Sequence, residues 1–292
     1  MFAVTLISAP ARPILTSELV ENLRNAWGGG DATWLARNEA AEFQIEVMPD
    51  NRWQVWQDLQ EARIDLAIQG ADGRKKKVLL ADMDSTMIRQ ECIDELAEAA
   101  GVGAAVKAIT ARAMNGELDF EEALRERVAL LKGQSDRIVD EVLETRITMM
   151  PGGRELVATM RANGAYTALV SGGFTAFAVP VAARLGFDEA RANTLNAAGG
   201  ALTGEVGEPI LGRDAKVQAL LEIVEARGLS PAEVMAVGDG ANDLGMLGLA
   251  GAGVALHAKP VVAAECELRI NHSNLSALLF LQGYRREEFV SH

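Results

Sequence analysis

The chain has 292 residues, 49% of them hydrophobic and 24% charged, a composition that fits a globular protein of about two domains. A formal charge of −13 argues against nucleic acid and anionic membranes as partners, because either would be repelled. The two cysteines, Cys92 and Cys266, have no framework or metal spacing and read as buried small hydrophobes in a reducing cytosol.

No apolar run reaches the ~18 residues of a transmembrane helix. The opening Met1-Phe2-Ala3-Val4-Thr5-Leu6-Ile7 lacks a basic leader and a long apolar run, so it reads as a first strand rather than a signal peptide. A helix follows over 16–27, then short strands near 32–37 and 42–48, a helix over 51–62, and an alternating strand through Ile64, Leu66 and Ile68. The order β-α-β-β-α-β is ferredoxin-like. All four tryptophans, Trp27, Trp34, Trp53 and Trp56, fall in this part and read as core rather than as a binding box. Gly70 to Lys77 is a solvated basic linker.

Val78-Leu79-Leu80-Ala81 is a short apolar run, as expected of a strand buried on both faces in a parallel sheet. It ends in Asp82-Met83-Asp84-Ser85-Thr86. Alternation along a strand sends Asp82 and Asp84 out on the same side, at the sheet edge where α/β proteins bind ligands. Two carboxylates there repel each other unless a cation or proton lies between them, and a hard divalent ion such as Mg²⁺ meets that need. A helix N-cap would explain the same residue types locally.

Residues 88 to about 147 contain helical spacing only. Ile93, Leu96, Ala97 and Ala100 mark one helix, and Val106, Ile109, Thr110 and Ala113 another. Asp119-Phe120-Glu121-Glu122 resembles a capping box for a third, with Gly133 placed to end it, and a fourth runs from about Ser135 to Arg146. Arg127 lies on the otherwise apolar row Phe120, Leu124, Leu131, where it either snorkels or offers a planar fork to a carboxylate. Glu91 is either a first-turn helix acid or part of a site.

From Pro151 helix and strand alternate again. A helix over 153–163 precedes a strand from Tyr166 to Val170 that ends in Ser171-Gly172-Gly173. A hydroxyl followed by glycines suits a phosphate, though a plain turn has the same composition. After a helix over 174–186, residues 190–210 read as a hairpin region. Lys216 opens a helix whose apolar face is Val217, Leu220, Leu221 and Val224; a lysine in a first turn is unfavourable unless it faces an anion. Val234-Met235-Ala236-Val237 is another short strand, followed by Gly238-Asp239-Gly240-Ala241-Asn242-Asp243, whose acids and amide are the oxygen ligands of a hard cation. Strands are expected at 250–255 and 267–270. His257, His272 and His292 form no cluster and take no catalytic role.

Asp82–Thr86, Ser171–Gly173, Lys216 and Gly238–Asp243, in that order, resemble the four motifs of the haloacid dehalogenase-like hydrolases. The residues from Ile88 to Glu95 narrow the resemblance to the phosphoserine phosphatase family over 76 to about 282. The resemblance implies an α/β fold: a Rossmann-like parallel sheet flanked by helices, with an inserted four-helix cap and a small ferredoxin-like (ACT-like) domain ahead of it. Domains of 1–72 and 76–292 follow, with the cap at about 88–147.

It further implies hydrolysis of O-phospho-L-serine, the last step of serine biosynthesis, through an aspartyl-phosphate intermediate. Asp82 would be the nucleophile and Asp84 the general acid and base. Magnesium would sit on Asp82, Asp84 through its backbone carbonyl, and Asp239, with Asn242 and Asp243 close behind. Ser171, Gly172, Lys216 and Asn242 would hold the phosphoryl group. Glu91 would meet the substrate ammonium and Arg127 its carboxylate, between Met114 and Phe120 as apolar walls. The expected partners are a small-molecule substrate and a second copy of the chain, with no nucleic acid or membrane, in the cytoplasm. A phosphotransferase or sugar-phosphate phosphatase would lack a use for Glu91 and Arg127, and a receiver-like signalling protein would need neither the cap nor Asp84.

Overall fold

Two sheets carry the fold. In the computed structural model, which describes residues 1–114 and 117–290 except the side chain of Met114, the chain opens with β1 (Phe2–Ser8), α1 (Ser17–Ala26), β2 (Thr33–Ala36), β3 (Ala40–Ile45), α2 (Arg52–Glu61) and β4 (Ile64–Gly70). Thr16 starts α1 by accepting the Leu19 N–H at 3.2 Å. The four strands form an antiparallel sheet in the order β2-β3-β1-β4, the ferredoxin-like arrangement expected.

Strand alternation divides that sheet between two cores. Val4, Leu6, Phe43, Ile45 and Leu66 join Val20, Leu23 and Leu59 of the helices. Ile7, Ala40 and Ala67 point the other way and belong to the core of the second sheet. There they meet α12 (Ala277–Leu281), whose five residues are all buried. Trp27, Trp34 and Trp56 pack against the N-terminal core. Trp53 and Trp56 hold the Arg269 guanidinium over their rings, at 4.5 and 5.1 Å, so Trp56 both packs on the N-terminal core and, with Trp53, joins the two units.

The second sheet has six parallel strands: β5 (Val78–Ala81), β6 (Tyr166–Phe174), β7 (Glu189–Asn193), β10 (Val234–Gly238), β11 (Ala252–Leu256) and β12 (Leu268–Ile270). Their order is β12-β11-β10-β5-β6-β7, with β5 central. Leu79 and Ala81 enter one hydrophobic core and Val78 and Leu80 the other, as a strand covered on both faces requires. Helices α7 (Gly153–Ala162), α8 (Thr175–Leu185), α9 (Arg213–Ala226), α10 (Leu244–Leu249) and α11 (Pro260–Glu265) complete this layered unit with α12. Between β5 and β6 lie α3 (Cys92–Ala99), α4 (Gly103–Met114), α5 (Phe120–Ala129) and α6 (Ile138–Thr145). Asp119 and Glu122 form the expected capping box at the head of α5.

Several expectations shift. Residues 189–193 are not the start of a hairpin but the sixth strand of the sheet; the hairpin is β8 (Leu195–Ala198) with β9 (Ala201–Val206). An edge strand covered only in part needs no apolar run, which is why Glu-Ala-Arg-Ala-Asn did not read as one. Strand β6 continues through Ser171-Gly172-Gly173 to Phe174, with a break in register after Val170. Helix α9 buries Lys216, Ala219, Leu220, Ile223 and Val224, while Leu221 is 41% exposed, so its inner face is turned to admit Lys216. Helix α5 stops at Ala129, before Gly133, whose left-handed φ of 82° turns the chain instead. Helix α6 begins at Ile138 rather than 135. Among the described residues no helix is long and apolar enough to cross a membrane.

Candidate active site

Ala81 pairs with Val237 on one side and Leu169 on the other, so the carboxyl ends of β5, β10 and β6 open at one place. Asp82, Asp239 and Ser171 therefore converge there, all buried. A cavity of about 420 Å³ covers them, roofed by Phe120, Leu124 and Arg127 of α5 and by Glu91 and Ile93 at the head of α3. A larger groove, about 640 Å³, lies between β4 and the α10–α11 edge and is lined mainly by aliphatic residues and glycine.

Lys216 reaches the floor of the cavity. Its ammonium donates to Asp82 Oδ1 and to Asp243 Oδ1, each at 2.5 Å, with all three side chains buried. Burial alone would depress its pKa, but Asp82 and Asp243 outweigh burial and push it up to about 12. Asp243 uses its other oxygen to accept the N–H groups of Asp239 and Gly240 at 3.1 and 3.0 Å, which fixes the metal-type loop. Gly238 must be glycine here, since a Cβ would lie 2.4 Å from Asp243 Cγ.

Asp84 is set apart from that cluster. Its Oδ1 accepts the Cys92 N–H at 3.0 Å, and its Oδ2 lies 2.8 Å from where a Gly173 Cβ would stand, so the bare glycine permits its close approach. Burial first, then the Glu91 carboxylate, raise Asp84 to about 7. Ser85 takes a left-handed φ of 56° in the turn after the strand, and its hydroxyl donates to Glu91 Oε1 at 2.7 Å. Glu91 stands at the N-cap of α3 yet makes no capping hydrogen bond. Its side chain lines the cavity instead.

Arg127 is half-buried, with Nε donating to Ala123 O at 3.1 Å. It makes no ion pair among the described residues. Burial lowers its pKa, with Asp94, Glu91 and Asp84 opposing from farther off. Phe120 Cζ lies 3.1 Å from where a Gly172 Cβ would stand, so the ring rests directly on the glycine loop. The Ser171 hydroxyl accepts the Gly173 N–H at 2.9 Å. Asn242 lines the cavity. Met114, expected as a wall, has its side chain outside the described residues, as does all of His292. Neither His257 nor His272 lines the cavity.

Asp82, Asp239 and Asp243 bring carboxylate oxygens within 4.8 Å of one another and could hold a metal ion. Burial pushes Asp82 well above the usual carboxylate range despite Lys216, and burial with Asp243 raises Asp239 to about 6. Both shifts mark a shortage of positive charge, and the all-oxygen donor set suits a hard cation. The Asp84 carboxylate is not in that group.

Four contributors escaped the sequence reading. Thr86 donates its buried hydroxyl to Asp239 Oδ1 at 3.2 Å, linking the two acid loops. Asn193, at the end of β7, donates to Gly172 O at 2.8 Å and accepts the Leu211 N–H at 2.6 Å, tying the glycine loop to the segment before α9. A buried asparagine at a strand's carboxyl end was the available signal, but the strand itself was unrecognised. Arg213 and Lys259 also line the cavity.

A parallel sheet with two acid loops, a buried lysine and a glycine loop at one edge defines a hydrolase class, and the chain belongs to it: the haloacid dehalogenase-like hydrolases, whose family model matches residues 79–248. Within that class it resembles proteins named phosphoserine phosphatase. One from Polaromonas is 47% identical over 210 residues, 70% of this chain and 89% of the relative. Another, from Mycobacterium tuberculosis, is 40% identical over 230 residues, 78% of this chain but 56% of the relative, so the chain spans little more than half of that protein. The crystal structure of a haloacid dehalogenase family hydrolase from Salmonella enterica serovar Typhi superposes with a TM-score of 0.85 at 29% identity, covering 96% of this chain and 98% of the other.

Proposed function

We propose that this chain is a magnesium-dependent phosphoserine phosphatase that releases L-serine and phosphate through an aspartyl phosphate on Asp82, the last step of serine biosynthesis. Arg127 carries the substrate reading. A half-buried guanidinium with no ion-pair partner among the described residues, facing a cavity, is costly unless a ligand carboxylate completes it. Glu91, freed from capping and on the same cavity, suits the substrate ammonium. Phe120 supplies an apolar wall, while Ser171, Gly172, Lys216 and Asn242 hold the phosphoryl oxygens.

In the first step an Asp82 oxygen attacks phosphorus. The bond to the serine oxygen breaks as that oxygen takes the proton of Asp84. A pKa near 7 suits a group that gives a proton in one step and takes one in the next. In the second step water attacks phosphorus, its proton passes to Asp84, and the bond to Asp82 breaks to leave the free carboxylate. Asp82, the Asp84 carbonyl and Asp239 would hold magnesium, which when bound supplies positive charge beside the phosphoryl oxygens. Residues 1–72 form the ACT-like domain and 76–292 the catalytic one, in which the cap at about 88–147 excludes water. Two free buried cysteines accord with a reducing cytosol.

The reading is tested by phosphate release from phosphoserine, phosphothreonine, phosphoethanolamine and a sugar phosphate, with and without a chelator. Phosphoserine should lead and the chelator should stop turnover. Equal rates across the panel would leave the family and remove the substrate.

A further inference from the structure

The cavity has a charge problem that its catalytic groups do not solve. Asp82, Asp84, Glu91 and Asp239 all line it, and of the cations that line it Arg127 is assigned to the substrate carboxylate. Lys216 is already shared between Asp82 and Asp243. A phosphomonoester brings up to two further negative charges to a protein of net charge −13. Magnesium on Asp82 and Asp239 would offset charge at the floor, but an incoming anion first meets the exposed mouth and the field of a strongly acidic protein.

Two other cations face that mouth. Arg213 is the first residue of α9, one turn before Lys216, so the two lie on the same side of the helix, Lys216 buried and Arg213 exposed. A cation in a first turn opposes the helix dipole. Lys216 is compensated by two carboxylates, whereas Arg213 makes no ion pair or side-chain hydrogen bond among the described residues. It also borders the seam with the cap, in a groove shared with Asp119, Phe120 and Glu121, and pairs with neither acid. Lys259 stands at the N-cap of α11. Its backbone N–H donates to Asp239 O at 3.2 Å, which anchors it to the metal-type loop, while its side chain is exposed and has no ion pair among the described residues. Its ammonium is close enough to act on the Asp239 carboxylate. Two unpaired cations on separate elements border one cavity, one of them at a position that costs helix stability.

We propose that Arg213 and Lys259 are a capture site for the phosphate dianion. They hold the phosphomonoester at the mouth before it descends to Ser171 and Lys216, and they hold the released phosphate on its way out, taking no part in bond breaking. The proposal rests on the phosphatase reading for its substrate, and on the field at the mouth for its effect.

The test compares the wild type with Arg213→Gln, Lys259→Gln and the double variant. Each is measured for kcat and KM with phosphoserine from low to high ionic strength, and for binding of inorganic phosphate by calorimetry. The double variant should lose about tenfold in kcat/KM at low salt. That loss should sit in KM, with kcat changed less than about twofold and the salt dependence flattened, since exposed charges are screened over a Debye length. Phosphate binding should weaken in parallel, and Arg213→Lys with Lys259→Arg should restore both. A double variant with the wild-type KM, salt slope and phosphate affinity would overturn the proposal, as would a loss confined to kcat. If the wild type does not hydrolyse phosphoserine, the functional reading fails, and the phosphate titration still decides whether the two cations capture the anion.

Discussion

The central sheet carries two attachments, and they are joined to it in opposite ways. The helical cap meets the sheet around a charged cavity, with Phe120 on Gly172 as its direct contact over the phosphate loop. The N-terminal sheet meets the same unit through small side chains. Ala40 and Ala67 share a core with α12, and Ala3 is buried on the same face. Around that patch Asp65, Gln69 and Arg74 are partnered, while the buried Thr5, Ser273 and Ser276 hydroxyls make no hydrogen bond among the described residues. Asp65 accepts the backbone N–H groups of Asn271, His272 and Ser273 at 2.8 to 3.2 Å, Gln69 donates to Leu281 O at 2.7 Å, and Arg74 forms a two-pronged pair with Glu42 at 2.7 and 3.2 Å. Burial still raises the Asp65 pKa against the pull of those N–H groups. In the cap seam Arg127 keeps no ion pair among the described residues; in the N-terminal seam Asp65, Glu42 and Arg74 are all partnered. One joint is built to admit something, the other to remain closed, so substitutions in the first should change rates and those in the second stability.

The sharpest break would come at Asp82. Asp82→Asn should abolish turnover while the fold stays intact, with Lys216 still held by Asp243; phosphate trapped on Ser85 instead would displace Asp82 as nucleophile. Asp84→Asn comes next, with a loss on the order of 10²–10⁴ for phosphoserine. An activated aryl phosphate, which needs no proton on its leaving group, should lose far less in single-turnover phosphorylation; equal losses would count against the acid role. At Arg127 the effect is one of choice. Wild-type enzyme should prefer phosphoserine over phosphoethanolamine by roughly 2–5 kcal/mol in kcat/KM, and Arg127→Ala should erase most of that difference. An unchanged ratio would refute the carboxylate contact.

The seam with the N-terminal sheet should answer differently. Asp65→Ala leaves three backbone donors of 271–273 without their acceptor and should cost about 2–4 kcal/mol in urea unfolding, with kcat/KM nearly unchanged under native conditions. The smallest effect is expected from Ala67→Leu, an overpacked flat face, at about 1–3 kcal/mol. A large activity loss with little unfolding in either variant would show that this joint carries more than stability.

Much of this was legible in the residues themselves, for identifiable reasons. Val78–Ala81 and Val234–Val237 are apolar runs ending in acids, a pattern that both places a strand and marks its ligand edge. The cap helices were readable from spacing, and α5 from its capping box. What escaped was set by tertiary context. Strand β7 is polar because it lies at an edge, and with it went Asn193, the clasp of the glycine loop. The inner face of α9 was assigned to its aliphatic residues, yet Lys216 takes a place on it because two buried carboxylates await it. Arg213 and Lys259 look like ordinary surface cations until the cavity brings them to one rim. Trp53 and Trp56 showed no partner because Arg269 lies more than two hundred positions away in the chain.

Helix α12 has a consequence for how the protein is made. It covers the flat face of the first sheet and is also part of the core of the second, and the Gln69–Leu281 bond spans 212 residues. During synthesis the N-terminal sheet emerges first, but its alanine face has nothing to rest on until the last of those five residues has left the ribosome. Ala3, Ile7, Ala40 and Ala67 on that face would stay uncovered, apolar surface a nascent chain must keep from its neighbours. Closure of the first seventy residues onto the remainder is therefore a late event, timed by translation of α12, and a ribosome stalled before residue 277 would hold an active-site sheet beside an N-terminal sheet with one face still bare.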